Sequence, residues 1–544
     1  MNEHWLHTFE LEKGCFAFDA CLHRRACNVI LYQIPNSARR FILPVAATTS
    51  SEVNGQVQRV QSTSVSLSMG NFKGELDDLF NEVKALTHLG KEKEATCLLQ
   101  ANFEAVKEQL DMGARGIEEA ATLDVIALGY MTLGDLSMVL SLLDELDEIV
   151  KELKDDEPLL DSILMHMGSM CTKLENFESA TYCYSRAIEI MESRYGESSS
   201  SLVPPLLELG KVLSCTGSAA KAIETYHRVT KMLESAKGEE CEELTVPLIA
   251  SGNLLIKERK GADAESIFDR VLNIYIKLHG EQDGRCGLAM SSLAHAKCAK
   301  GDVDEAIVLY KKALKIVEDS KFLAVDDNTM EKMRIDLAEL LHVVGSSIGF
   351  RVDESRALLE QCLLISNKYR GKEHPSSVTH LINLASSYSR SKIFPEAERL
   401  LSLGLRIMMK TVPPDDPSLT FPMLHLAIIL YNMNRDQEAE ELALDVIRIR
   451  ESAFGNESLP VGEALDCLVS IQTRLQKDDH QLLGQLKRLL KIQEKAFGHE
   501  SEEVIGTLKK IVYYLGKIGK KDEIFPLRRR LTMLRKKSRD MVQY

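Results

Sequence analysis

Proline and aromatic residues are scarce in this sequence of 544 residues. It has 14 prolines, aromatic residues make up 6%, and Trp5 is the single tryptophan. Few prolines over such a length favour helices, because proline removes a backbone donor and interrupts a helix. No stretch approaches the roughly 18 consecutive apolar residues of a bilayer-spanning helix, so no transmembrane segment is expected.

The motifs of common catalytic and metal sites are also missing. The sequence has no phosphate loop, dinucleotide fingerprint, nucleophile elbow or metal-binding helix motif. Its twelve cysteines form no CxxC pair and no zinc-type cluster, which favours buried thiols in a reducing compartment. The near pairs Glu339/His342 and Glu373/His374 have no further ligand and are interpreted as helix-surface and turn residues. We therefore predict no enzyme activity, no catalytic residue, no metal and no cofactor.

The charge is negative overall and unevenly spread. The formal net charge is −14, which makes nucleic acid an unlikely partner because phosphate binding needs a basic surface. Residues 75–161 hold 22 acidic and 7 basic side chains, a net of −15, whereas residues 484–544 hold 7 acidic and 16 basic ones, a net of +9. Such a gradient gives an elongated chain a marked end-to-end dipole.

Glycines that follow similar helical patterns reveal an internal repeat. They are Gly196, Gly238, Gly280, Gly371, Gly455 and Gly498, and their spacings are 42, 42, 91, 84 and 43 residues. The value 84 is two periods, and 91 is two periods plus an insertion. A period near 42 fits one helical hairpin of two helices of about 15 residues with their turns.

Each repeat carries small residues at fixed positions. The run over residues 163–190 has Gly168 and Ala180, twelve residues apart, and then Tyr184 and Ala187. Equivalent residues recur in later units: Gly210, Ala222 and Tyr226; Gly252, Ala264 and Phe268; Ala294, Ala306, Tyr310 and Ala313; Ala385 and Ala397; Ala427 and Ala439. Small residues on both helices allow the backbones of a hairpin to approach closely. The aromatic residue one turn later is expected to fill the seam against the neighbouring hairpin.

These spacings resemble the tetratricopeptide repeat, with small residues at its eighth, twentieth and twenty-seventh positions and an aromatic at its twenty-fourth. The unit at residues 369–407, with Glu-His-Pro, Leu-x-Asn-Leu-Ala and Pro-Glu-Ala-Glu runs, is similar to the 42-residue variant of kinesin light chains and nephrocystin-like proteins. The resemblance covers roughly residues 75–535. It implies an all-α superhelix of about eleven helical hairpins that binds other proteins.

The chain divides into segments of different regularity. We predict the following organisation: a disordered leader at 1–70, degenerate N-terminal repeats at 71–160, a regular array at 161–319, an irregular repeat with an insertion at 320–372, a second regular array at 373–456, and degenerate repeats with a basic capping helix at 457–544. In the irregular repeat, the segment GSSIGFRVDE is expected to link two helices. The region is either a local hinge or a harmless surface bulge.

The N-terminal segment has the composition of an organelle-targeting leader. Residues 20–51 contain no Asp or Glu but include Arg24, Arg25, Arg39 and Arg40, and a Ser/Thr-rich stretch follows. This pattern predicts a cleaved transit peptide, for a plastid rather than a mitochondrion. The alternative is a disordered extension of a cytoplasmic protein.

The resemblance implies that the first helix of each hairpin lines a concave groove. Counting from the small residue gives these candidate groove residues: Lys173, Lys211, Asn253, Lys257, His295, Ser386, Arg390, Asn432 and Arg474. Asn383 is added because it matches a groove asparagine of kinesin light chains in the Leu-x-Asn-Leu-Ala run. Glu339 and Glu463 depart from this basic-to-neutral character. Such a groove favours partner proteins bound through extended or acidic segments. The alternative is that the lysines at helix ends serve the helix dipole.

Three functions remain open at this stage. The first is a non-enzymatic scaffold or assembly factor that binds partner peptides in the groove. The second is a cytosolic adaptor like a kinesin light chain, linking cargo to the cytoskeleton. Of the groove asparagines of kinesin light chains, only Asn383 has a match, and no heptad coiled coil precedes the repeats. The third is an RNA-associated organellar factor, which the basic last repeats allow.

Overall fold

The computed structural model describes residues 62–345 and 349–542. Over these residues the chain forms 22 α-helices and three short 3-10 turns, with no strand. Consecutive helices pair, which gives eleven hairpins and confirms the predicted all-α repeat fold. The hairpins belong to two compact units whose boundary lies between Leu323 and Ala324, inside the connector that follows the sixth hairpin.

The first unit contains six hairpins. Its helices are α1 Ser62–His88, α2 Glu92–Asp111, α3 Ile117–Leu133, α4 Leu136–Glu152, α5 Leu160–Lys173, α6 Phe177–Tyr195, α7 Val203–Cys215, α8 Ala219–Lys237, α9 Thr245–Lys257, α10 Gly261–His279, α11 Gly284–Lys300 and α12 Val303–Ser320. The turns Ser200–Leu202 and Glu242–Leu244 lead into α7 and α9. Every odd-numbered helix is the first helix of its hairpin.

The second unit contains five hairpins. Its helices are α13 Asn328–Gly345, α14 Gly349–Tyr369, α15 Ser376–Arg390, α16 Phe394–Met408, α17 Thr420–Asn432, α18 Asp436–Phe454, α19 Leu459–Arg474, α20 Asp479–Phe497, α21 Glu502–Ile518 and α22 Lys521–Val542. The turn Pro417–Leu419 leads into α17. In both units each hairpin packs on the next, so each unit is a solenoid.

The glycines that revealed the period end second helices. Five of them have φ between 81° and 89°, and Gly371 has φ of 100°. L-residues with a side chain rarely adopt this left-handed region. The backbone therefore reverses after each second helix at a position that glycine occupies at little cost.

The repeated small residue makes room for the aromatic side chain of its own hairpin. A Cβ atom built on Gly168 would lie 2.8 Å from the Tyr184 ring, and one built on Gly252 would lie 2.7 Å from the Phe268 ring. These rings are almost fully buried. The aromatic side chain thus lies over the glycine of its own hairpin, sixteen residues earlier. The same aromatic position also packs against the next hairpin, as predicted for the seam, since Phe268 clusters with Leu293 and Ala296 and Tyr226 clusters with Leu254.

Second helices of consecutive hairpins are bridged by arginine. Arg228 of α8 donates to the Glu192 carboxylate of α6 (2.5 Å) and to the carbonyl oxygen of Glu197 (3.0 Å). The pattern recurs 42 residues later, where Arg270 of α10 contacts Glu234 of α8 (2.6 Å). It appears again in the second unit, where Arg488 binds Glu451 and the Asn456 carbonyl, and Arg530 binds Glu494 and the His499 carbonyl. We call this contact the arginine bridge.

Two predicted boundaries need correction. Helix α1 begins at Ser62, so residues 62–70 are helical rather than part of a disordered leader, while residues 1–61 lie outside the described residues. Helix α14 begins at Gly349, so most of GSSIGFRVDE is the first turn of a helix rather than a linker. Its residues 346–348 are outside the described range. Only Gly345 and Gly349 of these ten residues disfavour a helix, so the long interval could be filled by lengthening the helix.

Candidate functional site

First helices of consecutive hairpins lie close together on one side of each unit. Helices α3, α5 and α7 contact one another in order, as do α9 and α11, and α17 and α19 in the second unit. A hydrogen bond of 2.7 Å from His166 of α5 to Asp124 of α3 adds a polar link. Among the described residues, consecutive second helices do not approach as closely and need the long arginine bridge. The first helices therefore line the inner side of each unit's curve.

Two columns of side chains repeat every 42 residues along this inner side in the first unit. Met165, Leu207 and Ile249 are half-buried and form what we call the apolar column. Each stands three residues before the small residue of its repeat. One residue after the small residue stands the polar column, whose members are Ser169, Lys211, Asn253 and His295. Residues four apart share a helix face, so the two columns run side by side.

The five predicted groove residues of the first unit keep contact with solvent. Lys173, Lys211, Asn253 and Lys257 are exposed, and His295 is half-buried with its ring edge-on to Tyr310 at 5.4 Å. The Lys211 ammonium pairs with the Glu208 carboxylate one turn earlier on the same helix. These residues belong to four consecutive first helices, from α5 to α11.

The predicted residues of the second unit are more engaged with the protein itself. Ser386 Oγ donates to the Ile382 carbonyl (3.0 Å), and Asn432 Nδ2 donates to the Ile428 carbonyl (2.8 Å). Asn383 is half-buried. Only Arg390 of the five is exposed.

Arg474 is held on three sides. Its guanidinium lies 3.5 Å from the centre of the Tyr431 ring and donates to the Asp436 carboxylate and to the Tyr431 carbonyl oxygen. These groups come from the preceding hairpin, so Arg474 joins two repeats. Its donors are directed at the protein rather than at a ligand.

Arg390 influences two buried histidines. Burial and, to a lesser extent, the positive charge of Arg390 together lower the pKa of His425 to about 4. Burial likewise lowers the pKa of His342 to about 4, with Arg390 and Arg356 contributing. Burial also raises the pKa of Glu339. The surroundings of Arg390 therefore favour neutral side chains.

Sequence reasoning overlooked the apolar column and Glu208. The column could have been found, because Met165, Leu207 and Ile249 follow the same 42-residue period as the markers. Glu208 could not be assigned as the partner of Lys211 from the sequence alone, because residues three apart on a helix pair only when both rotamers allow it.

No membrane-spanning or metal-binding feature appears in the part of the chain that the structure describes. None of the helices in residues 62–345 and 349–542 has the length and hydropathy to cross a bilayer. In the same residues, no three His, Cys, Asp or Glu side chains are grouped to hold a metal ion.

Comparison with known families decides the identity of the repeats. Two tetratricopeptide-repeat models match, one over residues 246–319 and the other over residues 423–459. The chain contains tetratricopeptide repeats. The first match covers α9 to α12 almost entirely, and the second spans α18 with most of α17. Repeats of this family imply a protein–protein interaction scaffold, and tetratricopeptide-repeat proteins are typically non-enzymatic.

Solved structures similar to this tetratricopeptide-repeat chain include kinesin light chain repeats. A putative kinesin light chain of Podospora anserina with nearly identical repeats is 25% identical, with a TM-score of 0.34, over 38% of this chain and 95% of that one. BtubC (BKLC) of P. vanneervenii is 20% identical, with a TM-score of 0.37, over 44% and 91%. The apo form of RapI is 14% identical, with a TM-score of 0.43, over 74% and 98%. A comparison with curated proteins finds no match.

Proposed function

We propose that the chain is a non-enzymatic scaffold whose inner face in the first unit binds an extended segment of a partner protein. The observation that carries this proposal is the pair of columns on α5, α7 and α9. An apolar column beside a polar column, repeated from helix to helix, suits a ligand whose side chains alternate between apolar and polar. An extended segment has this alternation.

The spacing of the helices suits such a segment. Contacting helices lie roughly 8–10 Å apart. An extended chain rises about 3.3 Å per residue. A bound segment would therefore meet a new first helix about every third residue, and the columns from Met165 to Ile249 would be spanned by fewer than ten residues.

The charges on this face favour acidic side chains in the segment. Lys173, Lys211 and Lys257 are exposed on three consecutive first helices. The pair between Lys211 and Glu208 is solvent-exposed, and such pairs contribute only about 0.2–1 kcal/mol. A carboxylate of the partner can therefore replace Glu208 at little cost. Several weak contacts of this kind make binding sensitive to salt.

The second unit offers less for such binding. Arg474 is held by Asp436 and Tyr431, and the amide of Asn432 is bonded within its own helix. Using these donors for a ligand would break contacts that join or stabilise repeats. We therefore assign the proposed binding face to α5, α7, α9 and α11, with Arg390 as a lesser candidate in the second unit.

Peptide selection on the purified full chain tests the proposal. A displayed library of random peptides should yield binders that alternate Asp or Glu with apolar residues. Binding should be lost in Lys211→Glu/Lys257→Glu and weaken as salt rises. The matched control is Lys221→Glu/Lys231→Glu, which makes the same charge change at exposed positions of α8, a second helix. Selected peptides without acidic residues, or equal loss in the control, would contradict the proposal.

We further propose that the chain acts inside a plastid after removal of its N-terminal segment. The acid-free, arginine-bearing residues 20–51 support this, and the start of α1 requires cleavage before Ser62. A fluorescent protein fused after residues 1–61 should accumulate in plastids of plant cells. Retention in the cytoplasm would instead favour a cytosolic adaptor, and accumulation in mitochondria would correct the organelle.

A further inference from the structure

The two ends of the repeat array carry opposite charge. Residues 75–161, which lie within α1 to α5, have a net charge of −15, and residues 484–544 have a net charge of +9. An acidic end and a basic end attract partners of opposite charge. The described side chains on α22 and α4 indicate what these partners are.

The last helix leaves a basic and apolar face uncovered. Phe525, Arg529 and Met533 stand four residues apart on α22, with Arg528 beside them. Phe525 is 79% exposed and Met533 is 67% exposed, whereas Ile524 and Leu531 on the other side are buried. Residues four apart share one face of a helix. We call Phe525, Arg528, Arg529 and Met533 the basic face.

The arginines of the basic face differ from their neighbour. Arg530 forms the last arginine bridge to Glu494 and the His499 carbonyl. Arg528 and Arg529 are exposed, and neither forms an ion pair with a residue whose side chain the structure describes. Their charges are therefore directed to solvent next to two exposed apolar side chains. Exposed charge beside exposed Phe and Met is typical of an interaction surface rather than of a solvated cap.

A second helix near the opposite end presents the complementary face. On α4, Leu136, Leu140, Asp144 and Glu148 stand four residues apart. Leu136 is 46% exposed and Leu140 is 49% exposed. Asp144 is exposed without an ion pair to any described side chain, and Glu148 lies 4.0 Å from Arg115, the outer limit for an ion pair. We call these four residues the acidic face.

We propose that the basic face of one copy of this chain docks on the acidic face of a second copy. The basic face extends over eight residues of helix, about 12 Å, and fits within the twelve residues, about 18 Å, over which the acidic face extends. Both combine two apolar side chains with two charged ones, and the charges are opposite. An anionic lipid surface would use the basic face alone, whereas a second copy accounts for both faces.

Because the two faces differ, the contact is head-to-tail and each copy keeps one unused face. Copies can therefore add one after another, into a closed ring or an open chain. Both faces are exposed, so salt screens the attraction and shortens the chains. The association is independent of the inner face proposed to bind partner segments.

Two variants test the proposal by removing one face each. The first is Phe525→Ser/Arg528→Ser/Arg529→Ser and the second is Leu140→Ser/Asp144→Ser/Glu148→Ser. In sedimentation velocity over a concentration series, the wild-type chain should form salt-sensitive oligomers. Each variant alone should be monomeric, with a Kd of self-association raised roughly tenfold or more. A mixture of the two should form 1:1 dimers and nothing larger, since each variant keeps the face that the other lacks.

A matched control separates this contact from a general effect of charge. Lys312→Ser/Lys315→Ser also removes two exposed positive charges, on α12, and should leave the oligomers unchanged. Circular dichroism establishes that each variant is folded. A monomeric wild-type chain, oligomers that persist in either variant, or a mixture without dimers would each overturn the proposal. So would a wild-type monomer that binds phosphatidylserine vesicles and loses this binding in the first variant.

Discussion

Replacing Gly252 with alanine tests how the hairpins close. The added Cβ would lie 2.7, 2.9 and 3.2 Å from three atoms of the Phe268 ring. Carbon atoms in contact prefer about 3.5–4.0 Å, so the ring must move by several tenths of an ångström or more. Phe268 is fully buried and cannot swing into solvent. Overpacking of this kind costs about 1–3 kcal/mol.

Helix propensity acts in the opposite direction. Alanine is favoured over glycine by about 0.8–1.0 kcal/mol inside a helix. The net expectation for Gly252→Ala is therefore a loss of about 0.5–2 kcal/mol in the free energy of unfolding. Gly484→Ala is the matched control, because Gly484 is an exposed position inside α20 with no heavy atom within 4 Å of the added Cβ. That change should stabilise by up to about 1 kcal/mol.

Urea unfolding followed by circular dichroism measures both variants, and hydrogen exchange locates the effect. Protection should fall in α9 and α10 for Gly252→Ala and remain unchanged elsewhere in the first unit. The double variant Gly252→Ala/Phe268→Leu should lose less stability than the sum of its single changes, because leucine relieves the overlap. If Gly252→Ala is as stable as Gly484→Ala, the ring does not depend on the missing side chain and the reasoning fails.

Three further changes probe other parts of the architecture. Ala306→Leu, at a fully buried position of α12, should destabilise by about 1–3 kcal/mol and broaden the thermal transition; an unchanged melting curve would show that Ala306 is not a helix-contact residue. Arg488→Ala removes an arginine bridge and should lower the free energy of unfolding in urea by about 1–2 kcal/mol. The control Arg399→Ala, at an exposed ion pair within α16, should lower it by less than about 0.5 kcal/mol. Equal losses would show that the bridge does not stabilise the array. His425 is buried and has a pKa of about 4 in the folded chain. The free energy of unfolding should therefore fall as the pH drops from about 6.5 towards 4, because over this range His425 binds a proton in the unfolded chain but stays neutral in the folded one. His425→Asn should therefore weaken this pH dependence by up to about 3 kcal/mol at pH 4, and an unaltered slope of stability against pH would contradict it.

The period of the fold could be predicted from the sequence because it depends on local chemistry. Glycine at the end of each second helix adopts a positive φ, and this requirement recurs every time the chain reverses. Buried alanines such as Ala180, Ala222 and Ala264 recur with the same period, because each second helix needs a small residue where it packs. The number of hairpins and the family followed from these markers.

The irregular repeat and the first helix were predicted less well. GSSIGFRVDE contains two glycines, which suggested a linker, but the helix resumes at Gly349. The Ser/Thr-rich stretch that suggested a disordered leader contains the start of α1 at Ser62. Propensity is a weak guide at such positions, because packing of the apolar face decides where a helix begins.

The candidate site shows a further limit of sequence reasoning. Lys211 and Arg474 occupy equivalent kinds of position on first helices and were predicted to serve the same groove. The structure pairs Lys211 with Glu208 in an exposed contact but encloses Arg474 between Asp436 and the Tyr431 ring. Charge and position along a helix do not predict whether a side chain is available, because availability depends on residues about 40 positions away.

The arginine bridge explains why periodicity predicts stacking but not the chemistry of each interface. Arg228 and Arg270 are 42 residues apart, and the next position in the series is Lys312, opposite Ile276 rather than a glutamate. A different contact joins the hairpin of α9 and α10 to the hairpin of α11 and α12. A Cβ on Gly261 of α10 would lie 2.5 Å from the backbone nitrogen of Lys300, so the backbones themselves approach closely there.

An ion pair of 2.6 Å between Lys297 of α11 and Glu265 of α10 completes this interface. From one interface to the next, the residue that joins the hairpins thus changes from a long arginine to a glycine. Each interface therefore has its own sensitivity: loss of charge where the bridge exists, and gain of a single methyl group at Gly261. A uniform substitution along the period should affect the repeats unequally, because the same position forms an arginine bridge in some repeats and not in others.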